Sequence, residues 1–340
     1  MTKLPVALCG LAPIASRRPE STRFGWVVSS HAAAYASHPA CDLVAVTDSR
    51  RDLMAAFREA WFDFWPAVAC YPMLDLLLAE ARPTLVSVTS PETTRAEMVL
   101  ACIEGGVKGV LCDKPMATNL ADGDRITSAV RRAGATLIIY QPRRYDPLIH
   151  LARDTIRSGE IGELRRLRCY HGGSRASLFR TGTHAIDTLC FLAESRAVAV
   201  SGRLEPGFED YQPYLSDMPR DPMREPAASA RITFENGLVA HYDGVRSGRR
   251  VLWFDLEGSH GGLRVHERHA ELTTAGGTRI LVPEPFDRVG LAAAVSELVV
   301  AVQNGTPTIS GPEAGRHTLQ ILLAILTSWR HGVATVPLEG

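Results

Sequence analysis

The stretch GVLCDKPMAT, residues 109–118, ends an apolar run with Asp113, Lys114 and Pro115. An ammonium at the mouth of a buried strand exchanges protons with a hydroxyl once desolvation and neighbouring cations lower its pKa. Pro115 restricts the backbone beyond it and so helps to aim the side chain. His184, in GTHAID, is a second proton-handling group, suited to relaying a proton or holding a substrate oxygen. Asp187 in the same motif either orients a substrate hydroxyl or favours the start of a helix. Asp48, closing LVAVTD, offers a carboxylate that two vicinal hydroxyls can share. No metal-ligand set is identified. The seven cysteines, at 9, 41, 70, 102, 112, 169 and 190, form no C-x-x-C pair. They read as small buried apolar side chains in a reducing compartment.

These residues need elements to hold them. Strand-like runs at 5–9, 43–47, 84–89, 108–112 and 136–140 alternate with helix-period segments at 27–37, 50–60, 73–82, 93–105 and 119–133. Apolar strands separated by helices predict a parallel sheet covered on both faces, with its ligand site beyond the strands' carboxyl ends. After residue 143 the rhythm changes. A helix over 146–159, a strand over 164–170 and a helix from about 182 lead into strand candidates at 197–204, 228–234, 238–244, 250–256, 262–267 and 279–282. Helices over 289–303 and 312–330 close the chain. The pattern is α/β: a doubly wound parallel sheet over 1–143, then an α+β domain over 144–340 with a mostly antiparallel sheet. The segment 206–226, rich in proline and charge, reads as a loop or lid.

Lys+Arg and Asp+Glu both total 37 in 340 residues, so the formal charge is zero. That balance disfavours a nucleic-acid or membrane-surface role. The N-terminus lacks the pattern of a secretory signal, and no apolar run approaches a bilayer span, so a cytoplasmic location is expected.

A dinucleotide-binding domain needs a tight glycine turn after its first strand. VALCG supplies Gly10, but no G-x-G-x-x-G follows. Gly25 opens the helical stretch, and Asp48 lies at about the 20-residue spacing expected of the ribose acid. The economical reading inserts residues 11–24 between strand and helix. Asp48 would repel a 2′-phosphate and favours NAD, whereas Ser49, Arg50 and Arg51 offer a clamp for that phosphate and keep NADP open. Arg17, Arg18 and Arg23 either reach a pyrophosphate or stand in solvent.

With these motifs in order, the chain resembles the Gfo/Idh/MocA family, named for glucose–fructose oxidoreductase, inositol dehydrogenase and rhizopine catabolism. Asp113-Lys114-Pro115 stands where the family has E-K-P. VTSPETTRAEMVLACIEGGV is similar to its T-P-N-x-x-H-x-E segment, QPRRYDPLIHLARDTIRSGEIGELRRLR to its N-R-R-F/Y-x-P helix, and GTHAIDTLCFLAE to G-x-H-x-x-D. The resemblance runs almost end to end. It implies a Rossmann domain plus a domain with a large open sheet that mediates homodimer or homotetramer formation. It also implies NAD(P)-dependent redox chemistry at a carbinol carbon of a sugar, cyclitol or sugar-acid derivative. Lys114 would be the acid/base and His184 its partner. Gly10, Leu11, Gly25, Trp26, Asp48, Ser49, Arg50, Thr89, Pro91, Asp113, Lys114 and Arg143 would line the cofactor. Arg180, Asp187, Arg95 and Tyr145 would meet the substrate.

The departures are informative. Arg180 replaces the acid of the family's D-x-G-x-H, Arg95 replaces the histidine after T-P, and Pro142 replaces the asparagine before the arginine pair. Arg180, with Arg175 or Arg95, would recognise an anionic group on the substrate. Two other readings remain at this level. One retains NAD without net redox change and performs elimination, epimerisation or glycoside cleavage. The other is a dinucleotide-binding protein without catalysis.

Overall fold

The computed structural model describes residues 3–19, 21–22, 25–26, 28–211, 224–284 and 288–339. The chain divides into two units, one of Met1–Pro142 with Arg288–Arg316, the other of Arg143–Asp287 with His317–Gly340.

The first unit is built on a six-stranded parallel sheet. Its strands are β1 (Leu4–Cys9), β4 (Cys41–Thr47), β5 (Ala69–Tyr71), β6 (Leu85–Val88), β7 (Gly109–Cys112) and β8 (Thr136–Ile139), in the order β5-β4-β1-β6-β7-β8. Helices α3 (Arg51–Trp61), α4 (Leu74–Ala81), α5 (Glu92–Glu104) and α6 (Leu120–Ala133) make the crossovers. Burial of consecutive residues, such as Val6 to Cys9 and Val110 to Cys112, shows that both faces are covered. The strand order reverses between β1 and β6, and ligands of such sheets bind at the carboxyl ends there. Gly10, Asp48, Thr89 and Asp113 each follow one of four neighbouring strands at that edge.

The segment after β1 differs from expectation. A short helix α1 (Pro13–Ser16) and a two-stranded pair, β2 (Ser21–Thr22) with β3 (Gly25–Trp26), stand before helix α2 (His31–Ala36). Gly25 therefore does not open the helix. Ser30 does, its hydroxyl accepting from the amide of Ala33 at 3.2 Å. The sequence also missed β5, three half-buried residues too few to show a period. Nor is the boundary a single cut, because helix α9 (Gly290–Asn304) packs on β7 and β8. A Cβ on Gly109 would stand 2.6 Å from a methyl of Val302. A glycine is what lets that helix lie so close.

The second unit carries a nine-stranded sheet. Its strands are β9 (Leu164–Gly173), β10 (Ala197–Leu204), β11 (Ala228–Phe234), β12 (Val239–Arg246), β13 (Val251–Gly258), β14 (Gly261–Val265), β15 (Ala270–Thr274), β16 (Gly277–Leu281) and β17 (Val336–Pro337). The order is β16-β15-β14-β13-β9-β12-β11-β10-β17. Among the described residues only β9 and β12 of this sheet pair in parallel, so the sheet is mostly antiparallel and open. Helices α7 (Pro147–Arg157), α8 (Thr183–Ala193) and the later part of α10 (Pro312–Arg330) belong to this unit. Ile186 and Leu189 of α8 share its core with Phe234, Tyr242 and Phe254 of the sheet. Strand β15 went unread in the sequence, and of the expected loop 206–226, residues 212–223 lie outside the described residues.

Candidate functional site

At the carboxyl edge of the first sheet, side chains from separate strands fasten one another. Gly10 turns at φ +90°, where a Cβ would stand 3.0 Å from the amide nitrogen of Ser90. Its own amide donates to the Thr47 carbonyl at 2.9 Å. Thr89 is buried, and its hydroxyl donates to the Gly10 carbonyl at 2.8 Å. Asp48 accepts from the Leu11 amide at 2.7 Å through one oxygen and from the Arg50 amide at 2.8 Å through the other. The structure thus brings Gly10, Leu11, Asp48 and Thr89 together. Leu11 and Thr89 act there as buried fasteners of the turn, a correction to their expected place on the cofactor surface.

Other expected cofactor ligands are engaged elsewhere. Gly25 and Trp26 form β3. The Arg50 guanidinium pairs with Asp52, its Nε donating at 3.2 Å, which weakens the case for a phosphate clamp. Arg18 pairs with Asp63 and also donates to the Ala60 carbonyl at 2.7 Å. Arg23 lies outside the described residues. Ser49 is exposed, and Pro91 is the exposed residue that precedes α5.

Lys114 follows the end of β7 and is half-buried. The Asp113 amide donates to the Val88 carbonyl at 3.0 Å, and an Asp113 carboxylate oxygen accepts from the Lys114 amide at 2.9 Å. The Lys114–Pro115 peptide bond is cis. Beyond it comes the principal correction in this unit. Arg95, expected at the substrate, is only 3% exposed. It donates to the Pro115 carbonyl at 2.6 Å and to the Ser90 carbonyl at 2.7 Å. One turn of α5 carries it inward, so the guanidinium ties the lysine-bearing turn to the turn after β6.

Sequence reasoning missed the polar cluster beneath that edge. His31, fully buried at the start of α2, shares a hydrogen bond with Ser87 (Nδ1 to Oγ, 2.9 Å), and Ser87 meets the Tyr35 hydroxyl at 2.9 Å. Burial pulls the His31 imidazole down to about 4, Asp113 opposes this and Arg95 adds to it. The ring is therefore neutral at neutral pH. The available signal was a serine inside the apolar strand LVSV.

In the second unit a π-helical turn, Leu178–Gly182, leads into α8. Its backbone is held by Glu225, a buried carboxylate that accepts from the amides of Phe179 and Arg180, the latter at 2.9 Å. Arg180 itself is partly exposed, and Arg175 is exposed. A Cβ on Gly182 would stand 2.5 Å from the Tyr242 hydroxyl, which also meets His171 Nδ1 at 3.2 Å. Burial first, then Arg250 and Arg143, pull His171 down to about 4. His184 is the second residue of α8 and half-buried, its carbonyl accepting from the Thr188 hydroxyl at 2.7 Å.

Asp187 is the principal correction here. It is fully buried, accepting from Arg144 Nε at 2.8 Å, from Arg144 Nη2 at 2.9 Å and from the Thr318 hydroxyl at 3.0 Å. With no exposed surface it fixes the inner face of α8 and is out of reach of a substrate. Tyr145 is likewise buried, in the short helix Pro142–Tyr145. Arg143 pairs with Asp146, the residue that caps α7, at 2.7 Å. Among the described residues, no helix is long and apolar enough to cross a membrane.

Sheet order, glycine turn and carboxyl-edge acid define a Rossmann domain joined to an α+β domain with an open sheet. Residues 24–141 match the GFO_IDH_MocA model, described as an oxidoreductase family with an NAD-binding Rossmann fold. The chain is similar to inositol 2-dehydrogenase 1 of Saccharopolyspora erythraea, 30% identical over 175 residues, which are 49% of this chain and 51% of that protein. It is also similar to 1-carboxy-3-chloro-3,4-dihydroxycyclohexa-1,5-diene dehydrogenase of Comamonas testosteroni, 28% identical over 217 residues, 58% of this chain and 50% of that protein. The chain thus spans about half the length of these relatives. In fold it matches the aldose-aldose oxidoreductase of Caulobacter crescentus, with a TM-score of 0.83 at 21% identity over 99% of this chain and 100% of that one.

The carboxyl edge fits an NAD ribose by acceptor count. A carboxylate accepts about four hydrogen bonds. Asp48 receives one backbone donor at each oxygen and is half-buried, so acceptor positions remain for two hydroxyls.

Proposed function

We propose that this chain is an NAD-dependent oxidoreductase that transfers a hydride between nicotinamide and a secondary alcohol or ketone of a cyclitol, sugar or sugar-acid derivative. The observation that carries the reading is the fastening of Lys114 at the carboxyl edge, in the same set of strand ends that presents Asp48. The relatives named for inositol and a dihydroxylated ring support the substrate class. Asp48 would hold the ribose diol of NAD, and engagement of Arg50 by Asp52 favours NAD over NADP.

NAD held through Asp48 at this edge would supply the acceptor for the hydride. Lys114, as the neutral amine, takes the hydroxyl proton as the carbinol carbon gives up its hydrogen with both electrons, leaving a carbonyl. In the reverse direction the ammonium returns that proton. Arg95 positions this group by holding the Pro115 carbonyl. His184 is proposed as a second proton-handling residue on the strength of the family resemblance, and Arg180 as the contact for an anionic substituent. A homo-oligomer is the proposed assembly.

The test is nicotinamide absorbance with NAD and a panel of cyclitols, sugars and sugar acids. Lys114→Ala should lower kcat by about 10²–10⁴-fold, the usual contribution of a positioned acid/base, while NAD binding measured by calorimetry persists. Unchanged turnover in the variant would overturn the assignment of the lysine. NAD binding without net reduction across a panel that is nonetheless converted would indicate transient oxidation instead.

A further inference from the structure

We infer that the tip of the β14–β15 hairpin is a binding site for a divalent transition-metal ion, held by His266, His269 and Glu271. The hairpin reads V-H-E-R-H-A-E over 265–271. Val265 pairs with Ala270 across the strands, and the His266 amide donates to the His269 carbonyl at 2.9 Å, closing a four-residue loop. His269 immediately precedes β15, and Glu271 is the second residue of that strand. His266 stands opposite them, across the closed turn.

The ligand atoms converge. One imidazole nitrogen from each histidine and a carboxylate oxygen of Glu271 all lie within 4.8 Å of one another. Glu271 Oε1 is 3.6 Å from His266 Nε2 and 3.5 Å from His269 Nε2. A tetrahedral ion with bonds of about 2.0–2.2 Å sets its ligands about 3.4 Å apart. The imidazole rings stack with centroids 4.7 Å apart, which points both Nε2 atoms toward the carboxylate. A second observation comes from hydrogen bonding. His266 Nε2 is sealed from solvent and has no hydrogen-bond partner, a condition that costs stability in an apo protein and that a metal bond relieves.

The surroundings leave the carboxylate available. Arg264, the cross-strand neighbour of Glu271, donates instead to Asp255 at 2.6 and 2.9 Å. Glu267, on the loop, lies 3.9 Å from Arg250. Two imidazole nitrogens and one carboxylate suit Zn²⁺, Ni²⁺ or Cu²⁺ and are a poor set for Mg²⁺ or Ca²⁺, which take oxygen ligands. Three protein ligands leave at least one position for water. Two hairpin strands closed by a short turn preorganise all three, so binding needs little rearrangement.

The experiment uses the full chain, stripped with a chelator and titrated with Zn²⁺ alone by calorimetry. The expected result is one equivalent that is weakened in His266→Ala, His269→Ala and Glu271→Gln. Loss of an outer-shell partner alone costs about 10–100-fold in metal affinity, and loss of a ligand should cost at least as much. Stoichiometry and affinity unchanged in all three variants would overturn the site, as would no binding by the parent. A zinc-soaked crystal read by anomalous diffraction covers a variant that fails to fold. A peak among the three side chains supports the inference, and peaks only elsewhere refute it.

Discussion

The two turns that carry the proton-handling candidates are fastened in different ways. In the first unit the lysine turn is held from its own sheet edge, where the turns after β1, β6 and β7 are joined by Thr89 and Arg95. In the second unit the turn before His184 is held by Glu225, 46 residues away in sequence from Phe179, on the far side of a long connection. A parallel sheet assembles its site from loops that the fold already brings side by side. In the second unit the turn is fastened from the distant segment around Glu225, whose carboxylate and the neighbouring Pro226 carbonyl both accept from its backbone amides. The first arrangement joins neighbouring strand ends, and the second reaches across the sequence.

That contrast can be broken by substitution. The largest loss of stability is expected for Asp187→Ala, which removes the carboxylate paired with the buried Arg144 guanidinium in the second unit. Removing one partner of a buried pair costs about 3–5 kcal/mol, read as a fall in denaturant midpoint. A smaller effect is expected for Glu225→Gln, which replaces a carboxylate under two backbone donors. About 1–3 kcal/mol is at stake at such a charged hydrogen bond, and the drop in turnover should exceed the drop in NAD affinity. Equal losses in both would remove the distinction between the two turns.

The smallest effect at neutral pH is expected for His31→Gln, which acts on the pH dependence. The folded chain protonates His31 only near 4, whereas the free side chain protonates at 6.5. The unfolded chain therefore binds more protons between these values, so stability is complete above pH 6.5 and falls as pH drops toward 4. Removing the imidazole should flatten that slope in urea denaturation. His171 provides the same dependence from the second unit, so His31→Gln should flatten it only in part. An unaltered slope would show that His31 is solvated.

Much of the first site was legible because its chemistry follows strand ends. Gly10, Asp48 and Lys114 each close an apolar run, and periodicity locates those ends. Arg95 and Asp187 were misread for one reason. A charged residue beside a motif looks like a ligand, and only helix rotation tells whether it turns outward or toward buried carbonyls and a guanidinium. The hairpin tip went unread because β15 went unread, so the spacing of His266, His269 and Glu271 had no strand to give it a face.

The amino-acid order determined the alternation of elements, the two sheets and the strand-end residues, because burial periodicity and turn chemistry are local properties. Tertiary structure alone decided which charges are fasteners, which backbone amides Glu225 holds, and that two histidines and a glutamate meet at one hairpin tip. The fasteners and the Glu225 contacts depend on groups far apart in the chain being brought within a few ångströms, which no local pattern encodes, whereas the hairpin tip depends on the strand pairing that closes its turn.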